Sequence, residues 1–264
     1  MPVDPCALLE LAETAAREAG DLLLGRLRHA RRSVTTKSTS TDMVSEMDRA
    51  AEALILDRLL GARPEDSVLA EEGGARTGTS EVRWVIDPLD GTTNYLYGHP
   101  RWSVSIAAEV GGEVVAGVVA DPSLDEVFTA VRGGGAHLNG QPIACSDKND
   151  LATALLATGF SYQPERRARQ AEVLVHVVPR ARDIRRHGVA SLDLCWVANG
   201  RLDGYYETGL QPWDVAAGAL IATEAGATIS SLDGGPPASS SLLAAAPGVA
   251  PALVHLLREA ISSR

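Results

Sequence analysis

The sequence predicts a protein of stacked helix and sheet layers, α+β in its first half and α/β in its second. The 264 residues are long enough to bury a large core. Only 2 Phe, 4 Trp and 5 Tyr are present, so this core must be built from Ala, Val, Leu and Ile. In the second half, strand-like apolar runs alternate with segments of helical periodicity, which is the pattern of an α/β layer.

The first half begins with helical patterns and continues with strands. Apolar residues recur at near-helical spacing over 5–27, and a polar loop from Lys37 leads into a second helix that continues through Leu60. A strand at 68–70 precedes Glu71-Glu72-Gly73-Gly74. The following strands are expected at 102–108, 113–120 and 127–131, with turns at Gly111-Gly112 and Asn139-Gly140.

A composition shift at 145–150 predicts the boundary between two halves, 1–145 and 146–264. Strands and helices should alternate after this boundary. The strands are expected at 154–160, 183–184 and 204–207, and the helices at 166–178, 188–199 and 214–225.

The net charge of -10 argues against nonspecific binding of nucleic acid or anionic membranes, because a polyanion must be met by clustered cations. The arginine-rich pieces at 26–32, 166–169 and 180–186 are the exceptions, and we interpret them as solvated helix faces. Nucleic acid is therefore not an expected partner. An acidic protein can still bind phosphate through metal ions.

The cysteines and the two ends of the chain indicate a cytoplasmic protein. Cys6, Cys145 and Cys195 are odd in number and form no C-x-x-C pair, which fits a reducing compartment. None of the six histidines is spaced from another as a zinc ligand would be. The N-terminal segment is too acidic for a signal peptide, and Pro247 and Pro251 interrupt the apolar C-terminal region, so no membrane span is expected.

The most informative stretch is an apolar run that ends in acids. Trp84-Val85-Ile86 leads directly into Asp87-Pro88-Leu89-Asp90-Gly91-Thr92-Thr93-Asn94. Pro88 and Gly91 predict a sharp turn between Asp87 and Gly91, which would bring the two carboxylates together. Such a pair at ~4 Å repels by roughly 4 kcal/mol at an effective dielectric of about 20, unless a cation lies between them. Protonation, or a solvated Asp-Gly turn, would relieve the same repulsion.

Other acids follow a similar pattern, and each has an ordinary structural interpretation. Asp48 suits the first turn of a helix, and Glu71 suits a solvent-facing turn before glycines. Asp214, in Trp213-Asp214-Val215-Ala216-Ala217-Gly218, suits the N-cap of an Ala-rich helix.

Taken together, these segments resemble the inositol monophosphatase family. The string from Asp87 to Asn94 resembles the metal-binding signature of that family, and the string from Trp213 to Gly218 resembles its second signature. The Glu71-Glu72 pair and the spacing of Ser45 and Asp48 also match. The resemblance implies a layered α-β-α-β-α sandwich, as in fructose-1,6-bisphosphatase.

The resemblance also implies magnesium chemistry. Two or three Mg²⁺ ions, with Mn²⁺ as a substitute, would be held by Glu71, Asp87, the Leu89 carbonyl, Asp90 and Asp214. These are hard oxygen donors, which suit such ions. The ions would activate a water and stabilise the departing oxygen. Thr92 and Asp48 would orient this water, Glu71 would assist, and no phosphoenzyme would form.

The expected substrate is inositol monophosphate, hydrolysed to myo-inositol and phosphate. The residues that the resemblance places at the substrate are Leu89, Asp90, Gly91, Thr92, Arg185, Ala190 and Glu207. His187, Val189 and Ser191 replace small or hydroxyl residues that are common in the family, and Ser191 stands where alanine is frequent.

Alternatives remain open at this stage. Sister families hydrolyse histidinol phosphate, 3′-phosphoadenosine nucleotides or fructose 1,6-bisphosphate, and a regulatory or RNA-associated protein could use the same fold. Homodimerisation and inhibition by Li⁺ are implied by the resemblance alone.

Overall fold

The computed structural model describes residues 3–30 and 40–262. The predicted polar loop at Lys37 and the side chain of Ser45 lie outside the described residues. The described helices are α1 Pro5–Ala30, α2 Ser40–Ala62, α3 Thr92–Tyr97, α4 Pro164–Val177, α5 Ala190–Ala198, α6 Pro212–Glu224 and α7 Ala250–Ser262. Two short 3₁₀ turns, Leu151–Thr153 and Val178–Arg180, lie beside α4 and its preceding strand.

The larger sheet has eight strands in the order β2-β1-β3-β4-β5-β6-β7-β8. Their bounds are β1 Ser67–Ala70, β2 Gly74–Arg76, β3 Val82–Asp90, β4 Ser103–Val110, β5 Glu113–Asp121, β6 Glu126–Val131, β7 Ala136–Leu138 and β8 Gln141–Ile143. Only the pairing of β1 with β3 is parallel. The predicted hairpin is confirmed, and Gly111 and Gly112 both have positive φ, as a tight hairpin turn requires.

The smaller sheet has five strands in the order β10-β9-β11-β13-β12. Their bounds are β9 Leu155–Thr158, β10 Asp183–Arg185, β11 Gly204–Thr208, β12 Thr228–Ser230 and β13 Ser241–Ala245. β9 is parallel to both β10 and β11, whereas β13 is antiparallel to β11 and β12. The carboxyl ends of β9 and β11 therefore meet at one edge.

Helices cover both faces of each sheet and form the predicted α-β-α-β-α sandwich. α1 and α2 pack on one face of the larger sheet, α5 and α6 lie between the sheets, and α4 and α7 cover the smaller sheet. Alternate side chains of one strand reach different layers, as the period of a strand requires. Trp84 and Ile86 pack towards α1 and α2, whereas Val85 packs towards α5 and α6.

The structure differs from the sequence-based expectation at the end of β3, and Asp48 is the ninth residue of α2 rather than a residue of its first turn. β3 does not end at Asp87 but continues through Pro88 to Asp90, because its register with β4 shifts between Asp87 and Asp90. A proline can be accommodated in a strand at such a bulge, and the chain then turns at Gly91. The C-terminal elements β12, β13 and α7 had no sequence-based prediction.

The division into halves at residue 145 stays a prediction. The core cluster around α5 and α6 takes side chains from both halves, including Val119, Phe128, Tyr205 and Leu242. Within the described ranges, no helix has both the length and the apolar character needed to cross a membrane.

Candidate active site

A cavity of about 310 Å³ opens where β1, β3, β9 and β11 end, beside the first turns of α5 and α6. Its lining includes most of the predicted site residues, namely Glu71, Asp87, Leu89, Asp90, Gly91, Thr92, Ala190, Glu207 and Asp214. A larger cavity of about 430 Å³ adjoins α4 and shares only the end of β11 with it. Chemistry rather than size identifies the smaller cavity as the candidate site.

The bulge at the end of β3 places the two central aspartates. Asp87 is 1% exposed, and its Oδ1 accepts a hydrogen bond from the Leu89 N–H at 3.0 Å. The Leu89 carbonyl accepts a hydrogen bond from Thr92 Oγ1 at 3.0 Å. Gly91 has φ of 87°, and an added Cβ would lie 2.7 Å from Val189 Cγ2. Only glycine therefore fits this turn.

Glu71 reaches Asp87 because β1 and β3 are parallel neighbours. The carboxyl ends of parallel strands meet at the same edge, and the Glu71 N–H extends the pairing by donating to the Ile86 carbonyl at 3.3 Å. The Asp87 side chain is close enough to Glu71 to lower the pKa of Glu71. Two acids that are 16 residues apart in the chain thus share one end of the cavity.

Asp214 comes from the first turn of α6. It is the third helical residue rather than the N-cap, which is Gln211. Asp214 Oδ2 accepts a hydrogen bond from the Gln211 N–H at 2.7 Å and completes a capping box. This bond uses one carboxylate oxygen to orient the side chain.

The pKa values of all four acids are raised, mainly by burial. Burial is the largest cause in each case, and it raises the pKa of Glu71 to about 7 with Asp214 as the next contributor. The pKa of Asp87 and that of Asp90 both lie well above the ordinary value because of burial and the neighbouring carboxylates. Burial also raises the pKa of Asp214, whereas the hydrogen bond from the Gln211 N–H lowers it. The cluster therefore favours either protons or a cation.

The donor atoms fit a hard divalent cation. All four side chains offer carboxylate oxygens, and the Leu89 carbonyl lines the same cavity without a nearby Cys or His ligand among the described residues. Over the ranges that the structure describes, no three His, Cys, Asp or Glu side chains already stand arranged to hold a metal ion. The fit thus depends on donor type and mutual repulsion, both of which suit Mg²⁺ or Mn²⁺.

Asp90 is fixed by α5. Its Oδ2 accepts hydrogen bonds from the Ser191 N–H at 2.8 Å and from the Ser191 hydroxyl at 2.7 Å. The Ser191 hydroxyl also lies 2.8 Å from the hydroxyl of Ser103 on β4, and both serines are fully buried. One oxygen of Asp90 is thus occupied by donors. Ser191 had no assigned role in the sequence analysis.

Asp48 and Thr92 both lie near the acid cluster. Asp48 is 6% exposed, and its Oδ1 has no hydrogen-bond partner among the described residues. Burial raises the pKa of Asp48 to about 8, and the carboxylates of Glu72 and Glu71 add to this effect. The Thr92 hydroxyl donates to the Leu89 carbonyl. The structure brings both residues to the cluster, but only Thr92 lines the cavity.

The far side of the cavity carries Glu207 and Ala190. Glu207 Oε2 accepts a hydrogen bond from the Tyr205 hydroxyl at 2.7 Å. Burial raises the pKa of Glu207 to about 7, although the Tyr205 hydroxyl and the Arg186 charge counteract it. Ala190 is the first residue of α5, and its small side chain occupies little of the cavity.

Arg186 rather than Arg185 lines this cavity. The Arg185 guanidinium forms an ion pair with Asp183 at 2.6 Å and borders a separate depression beside Trp196. Successive side chains alternate across an extended segment, so two adjacent arginines cannot both face one cavity. The sequence could show that one of them faces inward but not which one.

Four large apolar or aromatic side chains also line the cavity. They are Phe160, Tyr162, Leu210 and Trp213, and the sequence analysis assigned none of them a contact with substrate. Their sequence signal is weak because Phe160 and Tyr162 lie in a connecting segment without periodicity. Trp213 was noted only as a neighbour of Asp214.

Comparison with known sequences identifies one family across nearly the whole chain. The profile of the "Inositol monophosphatase family" matches residues 4–262. The Mycobacterium tuberculosis protein "Inositol-1-monophosphatase SuhB" is 45% identical over 276 residues, which cover 97% of this chain and 94% of that protein. The Vibrio cholerae protein "Nus factor SuhB" is 41% identical over 256 residues and covers 96% of each.

Solved structures agree with the sequence comparison. "Mycobacterium tuberculosis SuhB" superposes with a TM-score of 0.85 at 44% identity, covering 98% of both chains. The layer order described above is thus shared with a relative of known structure.

Proposed function

Because the chain belongs to the inositol monophosphatase family, we propose that it is a magnesium-dependent phosphatase that hydrolyses inositol monophosphate to myo-inositol and phosphate. The observation that carries the proposal is the convergence of four carboxyl groups on one cavity from β1, β3 and α6. A cluster of like charges in a buried site is unfavourable without a cation, so a purely structural role does not account for it.

The ligands that we propose for Mg²⁺ are Glu71, Asp87, the Leu89 carbonyl, Asp90 and Asp214. When bound, such ions supply an activated water and neutralise the charge that develops on the phosphate and the departing oxygen. Two of these ligands are already oriented by hydrogen bonds: Asp214 by its capping box and Asp90 by Ser191.

Thr92, Asp48 and Glu71 would orient the attacking water. The water oxygen would bond to phosphorus as the bond between phosphorus and the inositol oxygen breaks, and the inositol oxygen would leave with a proton. Asp48 suits a role in holding a proton because its Oδ1 has no partner among the described residues and burial raises its pKa.

The remaining cavity residues would position the ester. Gly91 and Thr92 would lie against the phosphate, and Arg186 would add a positive charge that the sequence analysis had assigned to Arg185. Glu207 would accept hydrogen bonds from the ring hydroxyls of inositol, because the Tyr205 hydroxyl occupies only one of its oxygens.

Replacing Asp90 or Asp214 by asparagine tests this proposal. Each variant should lower kcat by about a thousandfold or more, because loss of a metal ligand removes several kcal/mol of charge stabilisation. Asp57→Asn, on the exposed side of α2, is the matched control and should retain full activity. Unchanged phosphate release by Asp90→Asn, with a normal melting temperature, would overturn the assignment of the site.

Substrate choice requires a panel. We expect the highest kcat/KM for inositol monophosphate among four esters, the others being histidinol phosphate, a 3′-phosphoadenosine nucleotide and fructose 1,6-bisphosphate. If inositol monophosphate ranked last, another ester would be assigned as the substrate. The proposed metal site would not be affected by that result.

A second candidate function comes from the relative named "Nus factor SuhB". This chain would then act through a macromolecular partner, and the exposed arginines at 166–169 on α4 are the charge available for RNA. RNA affinity that falls steeply with salt, in a protein without phosphatase activity, would favour this function. The intact acid cluster favours catalysis instead.

Three further properties belong to this proposal. Inhibition by Li⁺ would reflect competition for the carboxylate site and can be measured in the phosphatase assay. Homodimerisation can be measured by light scattering. A reducing cytoplasm is supported by the three free cysteines, Cys6, Cys145 and Cys195.

A further inference from the structure

Aromatic side chains are concentrated at the mouth of the catalytic cavity. In a chain with only 2 Phe, 4 Trp and 5 Tyr, Phe160, Tyr162 and Trp213 all line this one cavity. Phe160 and Tyr162 belong to the segment between β9 and α4, whereas Trp213 is the second residue of α6 and precedes a proposed metal ligand. The cavity therefore offers ring faces beside polar side chains such as Ser161 and Gln211.

Tyr162 is exposed although it lies in a binding cavity. Its side chain is 79% exposed, and its hydroxyl lies 3.2 Å from Thr93 Oγ1 on α3. The hydrogen bond satisfies the polar end of the side chain and restricts the ring, while the ring itself is left uncovered. An uncovered, restrained aromatic face beside a reaction site is suited to stacking on a planar ligand.

Hydrogen bonds fix the segment that carries Tyr162. The Ser161 N–H donates to Gln170 Oε1 at 2.7 Å, and Gln170 Nε2 donates to the carbonyl and the hydroxyl of Thr208, both at 3.1 Å. The Gln163 N–H donates to the Ser161 hydroxyl at 3.1 Å. These bonds tie the segment to α4 and to the end of β11, so the ring is presented on a pre-ordered support.

We propose that Tyr162 is a stacking platform that extends the substrate range to phosphomonoesters whose alcohol carries a planar aromatic ring. The proposal rests on the phosphatase function above, and it adds a specificity-determining residue outside the acid cluster. A saturated polyol would use Glu207, deeper in the cavity, and would gain little from the ring. An aryl or nucleoside group would instead lie against Tyr162 at the mouth.

The test compares two esters in three variants. The esters are 1-naphthyl phosphate, which is planar, and myo-inositol 1-phosphate, which is saturated. Tyr162→Ala removes the ring, and Tyr162→Phe keeps the ring but removes its bond to Thr93. Tyr97→Ala is the matched control, because Tyr97 is 77% exposed at the end of α3 but does not line the cavity.

Tyr162→Ala should lower kcat/KM for 1-naphthyl phosphate by about tenfold or more, as expected when a stacking aromatic is removed. The same variant should change kcat/KM for myo-inositol 1-phosphate by less than about twofold. Tyr97→Ala should leave both values nearly unchanged, and Tyr162→Phe, which keeps the ring, should lose less than Tyr162→Ala on 1-naphthyl phosphate. Equal losses on both esters, or no loss on the aromatic one, would overturn the proposal.

A binding measurement separates this inference from the function that it rests on. The Kd of 1-naphthylphosphonate, which cannot be hydrolysed at its P–C bond, is measured by calorimetry on the same variants. A rise of about tenfold in Tyr162→Ala alone supports the platform even where turnover is absent. An unchanged Kd overturns it even where myo-inositol 1-phosphate is hydrolysed.

Discussion

Replacing Ser191 by alanine should weaken Mg²⁺ binding without disturbing the fold. The hydroxyl of Ser191 donates one of the two hydrogen bonds that Asp90 Oδ2 accepts, and the backbone N–H donates the other. A hydrogen bond to a charged group contributes about 1.5–3 kcal/mol. Its loss should raise the Kd for Mg²⁺ by roughly 10- to 100-fold, as is typical for groups that orient a metal ligand.

Calorimetric titration of the purified protein with Mg²⁺ measures this effect directly and does not depend on turnover. Ser103→Ala is the matched control, because it removes the neighbouring buried hydroxyl but leaves both donors to Asp90 in place. A melting temperature close to that of the wild type would show that Ser191→Ala is folded. Equal Mg²⁺ affinity in Ser191→Ala and the wild type would refute the idea that the Ser191 hydroxyl orients this ligand.

Three other predictions each compare two proteins. Arg186→Ala should raise KM for the phosphate ester by about tenfold, whereas Arg185→Ala should leave it unchanged, since an arginine contact to an anion is worth about 1.5–3 kcal/mol. Burial raises the pKa of Glu207 from 4.5 to about 7, so the folded state binds this proton more tightly than the unfolded state does. Wild-type stability should therefore fall between pH 4.5 and 7 by up to about 3 kcal/mol relative to Glu207→Gln, and a parallel pH dependence of the two melting curves would contradict this. Gly91→Ala should reduce the free energy of unfolding by about 2–4 kcal/mol through strain and a steric clash. Gly112→Ala, with similar φ and open space, should show only the strain, and denaturant titration compares the two.

Much of the fold could be predicted because local patterns and tertiary packing agree. The apolar run Trp84-Val85-Ile86 is buried on both sides, so it had to be a central strand, and it ends at the acids that were expected to follow it. The turns at Gly111-Gly112 and Asn139-Gly140 could be predicted from the sequence because these residues tolerate positive φ. Residue type alone determines such positions.

Other features depend on three-dimensional context that the sequence does not display. Pro251 was interpreted only as an interruption of an apolar region, but it lies in the first turn of α7, where a missing N–H is harmless. Asp214 was expected at the N-cap, but Pro212 begins α6 two residues earlier and moves it to the third helical position. The inward position of Arg186 depends on the register of β10, which no local pattern specifies.

All nine residues of α5 are buried between the two sheets, and its first turn holds Asp90 from a strand about a hundred positions earlier. Asp214 is contributed later still, by α6. A nascent chain that has emerged only as far as the larger sheet therefore contains Glu71, Asp87 and Asp90 but lacks both Asp214 and the α5 contact that fixes Asp90. At the proposed site, magnesium would stabilise the protein only after α6 has been synthesised, so a product that ends before α6 would gain no protection from the metal against proteolysis.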